Sequence, residues 1–212
     1  MKLKGVVDGF SKHFNENLWY YLVSILFVAT GMILGLYCVK YMGAAERDTL
    51  INYIGSLNSS AAIAGVANKT VLFGAIKNNL PLMIALWICG ITIVGVPIIL
   101  LINAYKGFTL GFTFSFFIYG LKQKGILLAL LGALPQNIIY IPCFIILSVF
   151  SMQYSVGIIK EKFNIGRVSV EDTNIKTYTM LFLIVSAFMV IGFLIEGFVT
   201  PSLVKFALKG FK

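Results

Sequence analysis

Residues 18–39 read LWYYLVSILFVATGMILGLYCV. This segment contains no Asp, Glu, Lys, Arg or His, and about 20 apolar residues of helix are enough to cross the hydrocarbon core of a bilayer. Gly31 and Gly35 stand one helical turn apart, a spacing that lets two membrane helices approach closely. The segment therefore predicts a membrane-spanning helix with a close-packing face.

The composition of the whole chain is that of a membrane protein. Of its 212 residues, 59% are hydrophobic and 12% are charged, whereas a soluble domain has about 25% charged residues. The formal net charge is +9, but the basic residues stand singly between apolar segments and form no stripe with interleaved aromatic residues. We interpret them as flank charges that meet membrane lipids, and we predict no binding of nucleic acid.

The apolar segments predict an all-α, polytopic helical bundle in which residues 1–212 form a single membrane domain of about five spans. The predicted spans are residues 18–39, 80–102, 108–120, 125–150 and 178–200. The turn between the second and third spans is expected at Asn103 to Lys106, where polar residues interrupt the apolar sequence. The third span is about half as long as a crossing needs, so it is expected to tilt, thin the bilayer or re-enter.

The fourth span is predicted to be discontinuous. Pro135 and Pro142 each remove a backbone amide and free a carbonyl group, and Gln136 and Asn137 offer side chains that can satisfy broken backbone bonds.

Residues 41–77 predict an extramembrane helical loop that contains amphipathic helices. After the charged residues 46–48, Leu50, Ile54 and Leu57 recur at helical intervals. This loop is the largest candidate surface for a partner beyond the membrane, and the alternative is a hairpin that only covers the span ends. Residues 1–17 predict an amphipathic segment at the membrane surface, and its lysines favour a cytoplasmic amino terminus.

The residues needed for catalysis or metal binding are not grouped in this sequence. His13 is the only histidine, and the three cysteines are far apart and lack histidine neighbours. Glu196, near the end of the fifth predicted span, is the exception among apolar segments that otherwise lack ionisable groups, and a carboxylate at the membrane interface explains it. We therefore predict no catalytic, metal-binding or cofactor-binding residue and no enzyme.

Amide side chains at Asn78, Asn79, Gln136 and Asn137 are unusual in such apolar surroundings. An unpaired amide in hydrocarbon is costly, so these groups are expected to bond to the backbone or to each other and to lock the helices. The alternative is a ligand or partner site, by analogy with the broken helices at transporter sites.

Three motifs and their order along the chain carry a resemblance to a known family. They are Ile76-Lys-Asn-Asn79, Lys106-Gly-Phe-Thr-Leu-Gly111 and Leu134-Pro-Gln-Asn-Ile-Ile-Tyr-Ile-Pro142. The chain resembles the stage II sporulation protein M family over nearly its whole length. The resemblance implies an endospore-forming bacterium and a multi-pass protein of the cell membrane, on the mother-cell side of the sporulation septum and of the engulfing membrane.

The resemblance also implies the partners and the role. Members of the family are similar to the membrane anchor that holds stage II sporulation proteins D and P, which degrade peptidoglycan during septal thinning and engulfment. The family supplies no catalytic residues, so nine positions are named only as candidates for structural or partner contacts: Gly31, Gly35, Asn78, Asn79, Gly107, Gly111, Pro135, Gln136 and Asn137. A small transporter or permease-like subunit is the alternative function, and homo-oligomers remain open.

Overall fold

The computed structural model describes residues 14–46, 48–50, 52, 68–163 and 174–209, and all of its regular elements are helices. We number the helices along the chain and name the short π-helical segment after α5 the π turn. The bounds are α1 Leu18–Lys40, α2 Asn68–Ile91, α3 Gly95–Gly132, α4 Leu134–Lys162, α5 Ile175–Leu194, the π turn Ile195–Val199 and α6 Thr200–Lys209.

Five helices are long and apolar enough to cross a membrane, which confirms the predicted polytopic α-helical fold. The candidate spans are Leu18–Lys40, Lys69–Ile91, Gly95–Tyr119, Leu134–Lys162 and Ile175–Val204. Large apolar side chains on their outer faces are exposed, among them Trp19 at 73%, Leu101 at 65% and Leu183 at 63%. Water would make such a surface unfavourable, whereas lipid covers it at no cost.

Helix α4 lies at the centre of the bundle, where it packs against α1, α2, α3 and α5. Its Tyr140, Phe144 and Leu147 are almost completely buried. Leu86 of α2 and Met189 of α5 complete the core on either side of it. The large side chains of α4 therefore hold the other spans together.

The structure corrects the prediction for the second span, because the apolar segment 80–102 turns at residues 92–94 and does not form one helix. A Cβ atom at Gly95 would collide with the carbonyl group of Cys89, so the turn needs a glycine at this position. The hydroxyl of Thr92 donates to the Cys89 carbonyl at 2.8 Å, and Ser155 of α4 donates to the Thr92 carbonyl at 2.7 Å. These bonds satisfy the carbonyl groups that the turn frees. The hydropathy pattern does not show the turn, because the sequence is apolar on both sides of it.

The predicted turn at Asn103 to Lys106 and the short third span at 108–120 are wrong for a related reason. Both stretches belong to the continuous helix α3, whose candidate span Gly95–Tyr119 has the length of a full crossing. The polar side chains point into the bundle: Asn103 is completely buried and accepts a bond from Ser148 at 2.7 Å. Ser148 of α4 bonds to the Asn103 oxygen and Asn79 of α2 bonds to the Lys106 ammonium, so no solvent-exposed turn is needed.

The breaks predicted at Pro135 to Asn137 and at Pro142, within a span of residues 125–150, are not found there; the break lies at Ala133, between two helices. Residues 125–132 end α3 and Leu134 begins α4, so the fourth span is Leu134–Lys162. Pro135 lies in the first turn of α4, where a missing amide costs little, and Pro142 is accommodated inside the helix.

The predicted loop at 41–77 is described in part. Residues 44–46 and 48–50 are helical, and residues 68–77 belong to α2. The amphipathic pattern at residues 53–57 and the amino-terminal segment before Phe14 lie outside the described residues.

Candidate functional site

The four glycines predicted from sequence form one interface between α1 and α3, which we call the glycine seam: Gly31, Gly35, Gly107 and Gly111. A Cβ atom at Gly31 would collide with the Ala104 backbone, and one at Gly107 would collide with the Val28 carbonyl. The close-packing face of α1 is therefore occupied by α3 of the same chain. A homo-oligomer, which stays a prediction, would have to use another face.

Helices α1 and α3 run in the same direction along this seam. Gly107 faces Val28 and Gly111 faces Met32, and one turn further the Ser115 hydroxyl donates to the Leu36 carbonyl at 3.2 Å. Residue numbers rise in the same direction on both helices along the interface, so the two helices are parallel. Two backbones in direct contact leave little room for relative movement.

Four of the other predicted positions, Asn78, Asn79, Gln136 and Asn137, line a polar cavity among α2, α3, α4 and the π turn. Its volume is about 490 Å³. Its polar lining residues are Asn78, Asn79, Tyr105, Lys106, Thr109, Thr113, Gln136, Asn137, Tyr140 and Glu196. The structure thus brings together the amides of α2 and α4, which are more than fifty residues apart in sequence.

Lys106 extends from α3 into this cavity. Its ammonium group donates to Oδ1 of Asn79 at 2.5 Å, and Asn79 in turn donates to the Ala75 carbonyl at 2.8 Å. The Nζ atom also lies 5.2 Å from the ring centroid of Tyr140 and 4.9 Å from that of Phe144. An amide oxygen and two aromatic faces therefore stabilise the positive charge.

Glu196 approaches the same ring from the side of α5. The Tyr140 hydroxyl donates to Oε2 of Glu196 at 2.7 Å. Glu196 is the second residue of the π turn, and Gly197 in that turn packs directly against Leu72 of α2. The wider backbone turn and the absence of a side chain at Gly197 let the carboxylate stand at the cavity wall.

The amide nitrogens of Gln136 and Asn137, at the start of α4, bond to the backbone. Gln136 donates to the Gly132 carbonyl and Asn137 donates to the Ala133 carbonyl, each at 2.7 Å. The Gln136 oxygen also accepts from the hydroxyl of Thr200 at 3.1 Å. These bonds close the junction between α3 and α4 and attach it to the end of the π turn. Pro135 lies in the first turn of α4 and does not line the cavity.

Lys106, Tyr140 and Glu196 were not among the predicted site residues. Lys106 and Tyr140 stand within motifs that carry the family resemblance, but Lys106 was read as part of a hydrophilic turn and Glu196 as an interface carboxylate. A lysine flanked on both sides by apolar helix was the available signal, since such a charge usually faces the bundle interior.

The lining of the cavity offers charges and hydrogen-bonding groups. Over residues 14–46, 68–163 and 174–209, no group of three His, Cys, Asp or Glu side chains is placed to hold a metal ion. The groups at the cavity wall are one ammonium, one carboxylate, amides and hydroxyls. Such a set can bind and orient a polar group.

A parallel glycine seam and a charged cavity within five apolar helices define a polytopic helical membrane protein. The family model for stage II sporulation protein M matches residues 24–201, and the chain belongs to this family of sporulation-related membrane proteins. The matched range includes the glycine seam and every lining residue of the cavity. Comparisons with curated proteins and with solved structures find no match.

Proposed function

We propose that this protein is the membrane anchor of the peptidoglycan-degrading machinery that acts in septal thinning and engulfment during endospore formation. Its partners are stage II sporulation proteins D and P, and its place is the mother-cell side of the septum and of the engulfing membrane. The family match over residues 24–201 is the observation that carries the proposal. The anchor itself does not cut peptidoglycan.

The geometry suits an anchor because a docking platform must hold its shape. The glycine seam fixes α1 against α3, and the buried side chains of α4 fix the remaining spans. The core of the bundle is therefore rigid, and a partner that binds at one end gains a defined position in the membrane.

The segment between α1 and α2 supplies the docking surface in this proposal. Its described part begins with a short turn after Tyr41, and Glu46 and Asp48 there are exposed. Thr49 donates to the Ala45 carbonyl at 2.8 Å, so this part already forms helical turns. A partner outside the membrane can bind exposed charges on a helix next to the bilayer.

Deletion of the gene in the organism that carries it tests the proposal. Fluorescent fusions of proteins D and P should leave the septal membrane, and engulfment should stop. A variant whose residues 44–66 are replaced by a Gly/Ser linker of equal length should fail to restore both. The matched control, a variant that lacks residues 210–212, should restore them. Normal localisation of both hydrolases in the deletion strain would refute the anchor.

Purified protein supplies a second test. Incubated alone with peptidoglycan, it should release no soluble fragments, and release by the protein without D and P would contradict the proposal.

The polar cavity is a specific observation in favour of the second candidate, a small transporter or permease-like subunit. Transport sites often lie among spans and contain charged groups. Replacement of Glu196 by Gln separates the two candidates. A transporter should lose its activity, whereas an anchor with this substitution should still recruit D and P and support engulfment.

A further inference from the structure

The charged groups of the cavity are only partly satisfied by the protein. Among the described residues, Lys106 and Glu196 form no ion pair with each other, and their charges bracket the side chain of Tyr140. The Lys106 ammonium has three donors and uses one on Asn79. Glu196 accepts from Tyr140 through Oε2, and its other oxygen has no hydrogen-bond partner in this part of the chain. Both charges therefore retain hydrogen-bonding capacity toward the cavity.

Two amides extend this capacity at the same wall. The Asn137 side chain donates to the Ala133 carbonyl through its nitrogen, and its oxygen makes no hydrogen bond within the described ranges, so this oxygen is available as an acceptor in the cavity that Glu196 also lines. Asn78 is exposed at the cavity and makes no side-chain hydrogen bond within the described ranges. The wall thus offers donors at Asn78 and Lys106, and acceptors at Asn137 and Glu196.

We propose that this cavity binds a small zwitterionic group, one that carries an ammonium together with a phosphate or carboxylate. The anionic end meets Lys106 and Asn78, and the ammonium end meets Glu196 and Asn137. A lone anion would compensate Lys106 but be repelled by Glu196, and a lone cation would meet the opposite problem. A zwitterion compensates both charges, and a cavity of about 490 Å³ is in the size range of small-molecule sites.

The π turn is an independent reason to regard the cavity as a binding site. Single π turns inside α-helices occur frequently at functional sites, because the extra residue reorients a side chain at a cost in regular hydrogen bonding. Here the turn carries Glu196 to the cavity, and Thr200 stabilises the turn through bonds to the Ile195 carbonyl at 3.3 Å and to Gln136. A purely structural junction has no need of a carboxylate at that point.

This chemistry has two sources: a lipid headgroup such as that of phosphatidylethanolamine, or a free zwitterion. The proposed binding site is independent of the proposed anchor function. If the protein did not recruit proteins D and P, the binding proposal would still stand.

Thermal unfolding of the full-length protein, purified in a maltoside detergent without phosphatidylethanolamine, tests the proposal. Phosphoethanolamine at about 100 times its Kd should raise the Tm by about 5–10 °C. Inorganic phosphate should give a smaller rise, because it meets only the Lys106 end.

A second arm compares nanodiscs of phosphatidylethanolamine with nanodiscs of phosphatidylcholine, whose quaternary ammonium cannot donate to Glu196. A shift in the first arm indicates a free zwitterion, and a shift only in the second indicates a lipid.

The variants Lys106→Met and Glu196→Gln should each lose at least nine tenths of the ligand-induced shift. Matched controls are Lys176→Met and Glu161→Gln, at exposed positions outside the cavity, which should keep it. If the cavity variants do not fold, Lys106→Arg and Glu196→Asp keep the charges with altered reach and should raise the Kd at least fivefold. No shift in either arm, or equal shifts in cavity and control variants, would overturn the proposal and leave a cavity filled by water.

Discussion

The glycine seam predicts a large difference between two substitutions that are chemically identical. Gly107→Ala places a Cβ atom where the Val28 carbonyl lies, whereas Gly74→Ala places one in open space, with no atom within 4 Å from the described residues beyond its own turn of helix. Each change also gains about 0.5–1 kcal/mol of helix propensity, since both positions are inside helices. This gain cancels in the comparison, so the difference between the two variants measures the steric effect alone.

The steric effect should cost about 1–3 kcal/mol, the usual range for overpacking a well-packed interior. We expect a value near the upper end because the obstacle at Gly107 is backbone, which cannot change rotamer as a side chain can. The only relief is to move α1 away from α3, and this movement would also strain the bond from Ser115 to Leu36.

Reversible unfolding in mixed micelles of SDS and a mild detergent measures these free energies. Gly107→Ala should unfold at a clearly lower SDS fraction than Gly74→Ala. The double variant Gly31→Ala, Gly107→Ala should cost less than the sum of its single variants, because the first separation of the helices already relieves the second clash. If Gly107→Ala and Gly74→Ala differ by less than about 0.5 kcal/mol, or if the double variant is strictly additive, the seam is not the close contact that we describe.

Three further substitutions test other parts of the bundle by the same assay. Tyr178→Phe removes bonds to the Trp87 carbonyl at 3.0 Å and to Ser151 at 3.1 Å and should cost about 1 kcal/mol, whereas Tyr41→Phe at an exposed position should cost nothing measurable. Asn103→Leu should be neutral or stabilising, because it removes a buried Nδ2 that has no hydrogen-bond partner among the described residues, while Ser148 keeps its bond to the Phe144 carbonyl; a loss above about 1 kcal/mol would contradict this. Gly95→Ala should destabilise more than Gly74→Ala because it displaces the Cys89 carbonyl at the turn, and equal values would count against that turn.

The helical membrane fold could be predicted because it depends on a local property. Apolar length alone identifies a span, and the first predicted span, 18–39, differs from α1 by a single residue. Glycine spacing also indicated that Gly31 and Gly35 would form a close contact. The spacing carries no information about the partner helix, because any closely approaching backbone satisfies it.

The positions of the turns could not be predicted, because distant partners determine them. The apolar segment 80–102 can turn after Ile91 because the Ser155 hydroxyl, more than sixty residues further along the chain, donates a hydrogen bond to the Thr92 carbonyl. In the same way, Asn103 looks like part of a turn until Ser148 is seen beside it. A hydropathy pattern records how polar a residue is and not which group will pair with it.

The cavity shows the same dependence, because its members become a site only when four elements meet. Lys106 and Gly107 are neighbours in sequence, and successive residues of a helix point about 100° apart, so one faces the cavity while the other faces α1. The seam thereby fixes the rotation of α3, and this rotation directs the Lys106 ammonium to Asn79 and to the Tyr140 ring. A glycine at position 107 thus serves a second purpose besides packing, since a helix held loosely against α1 could not hold a charge in one place among apolar spans.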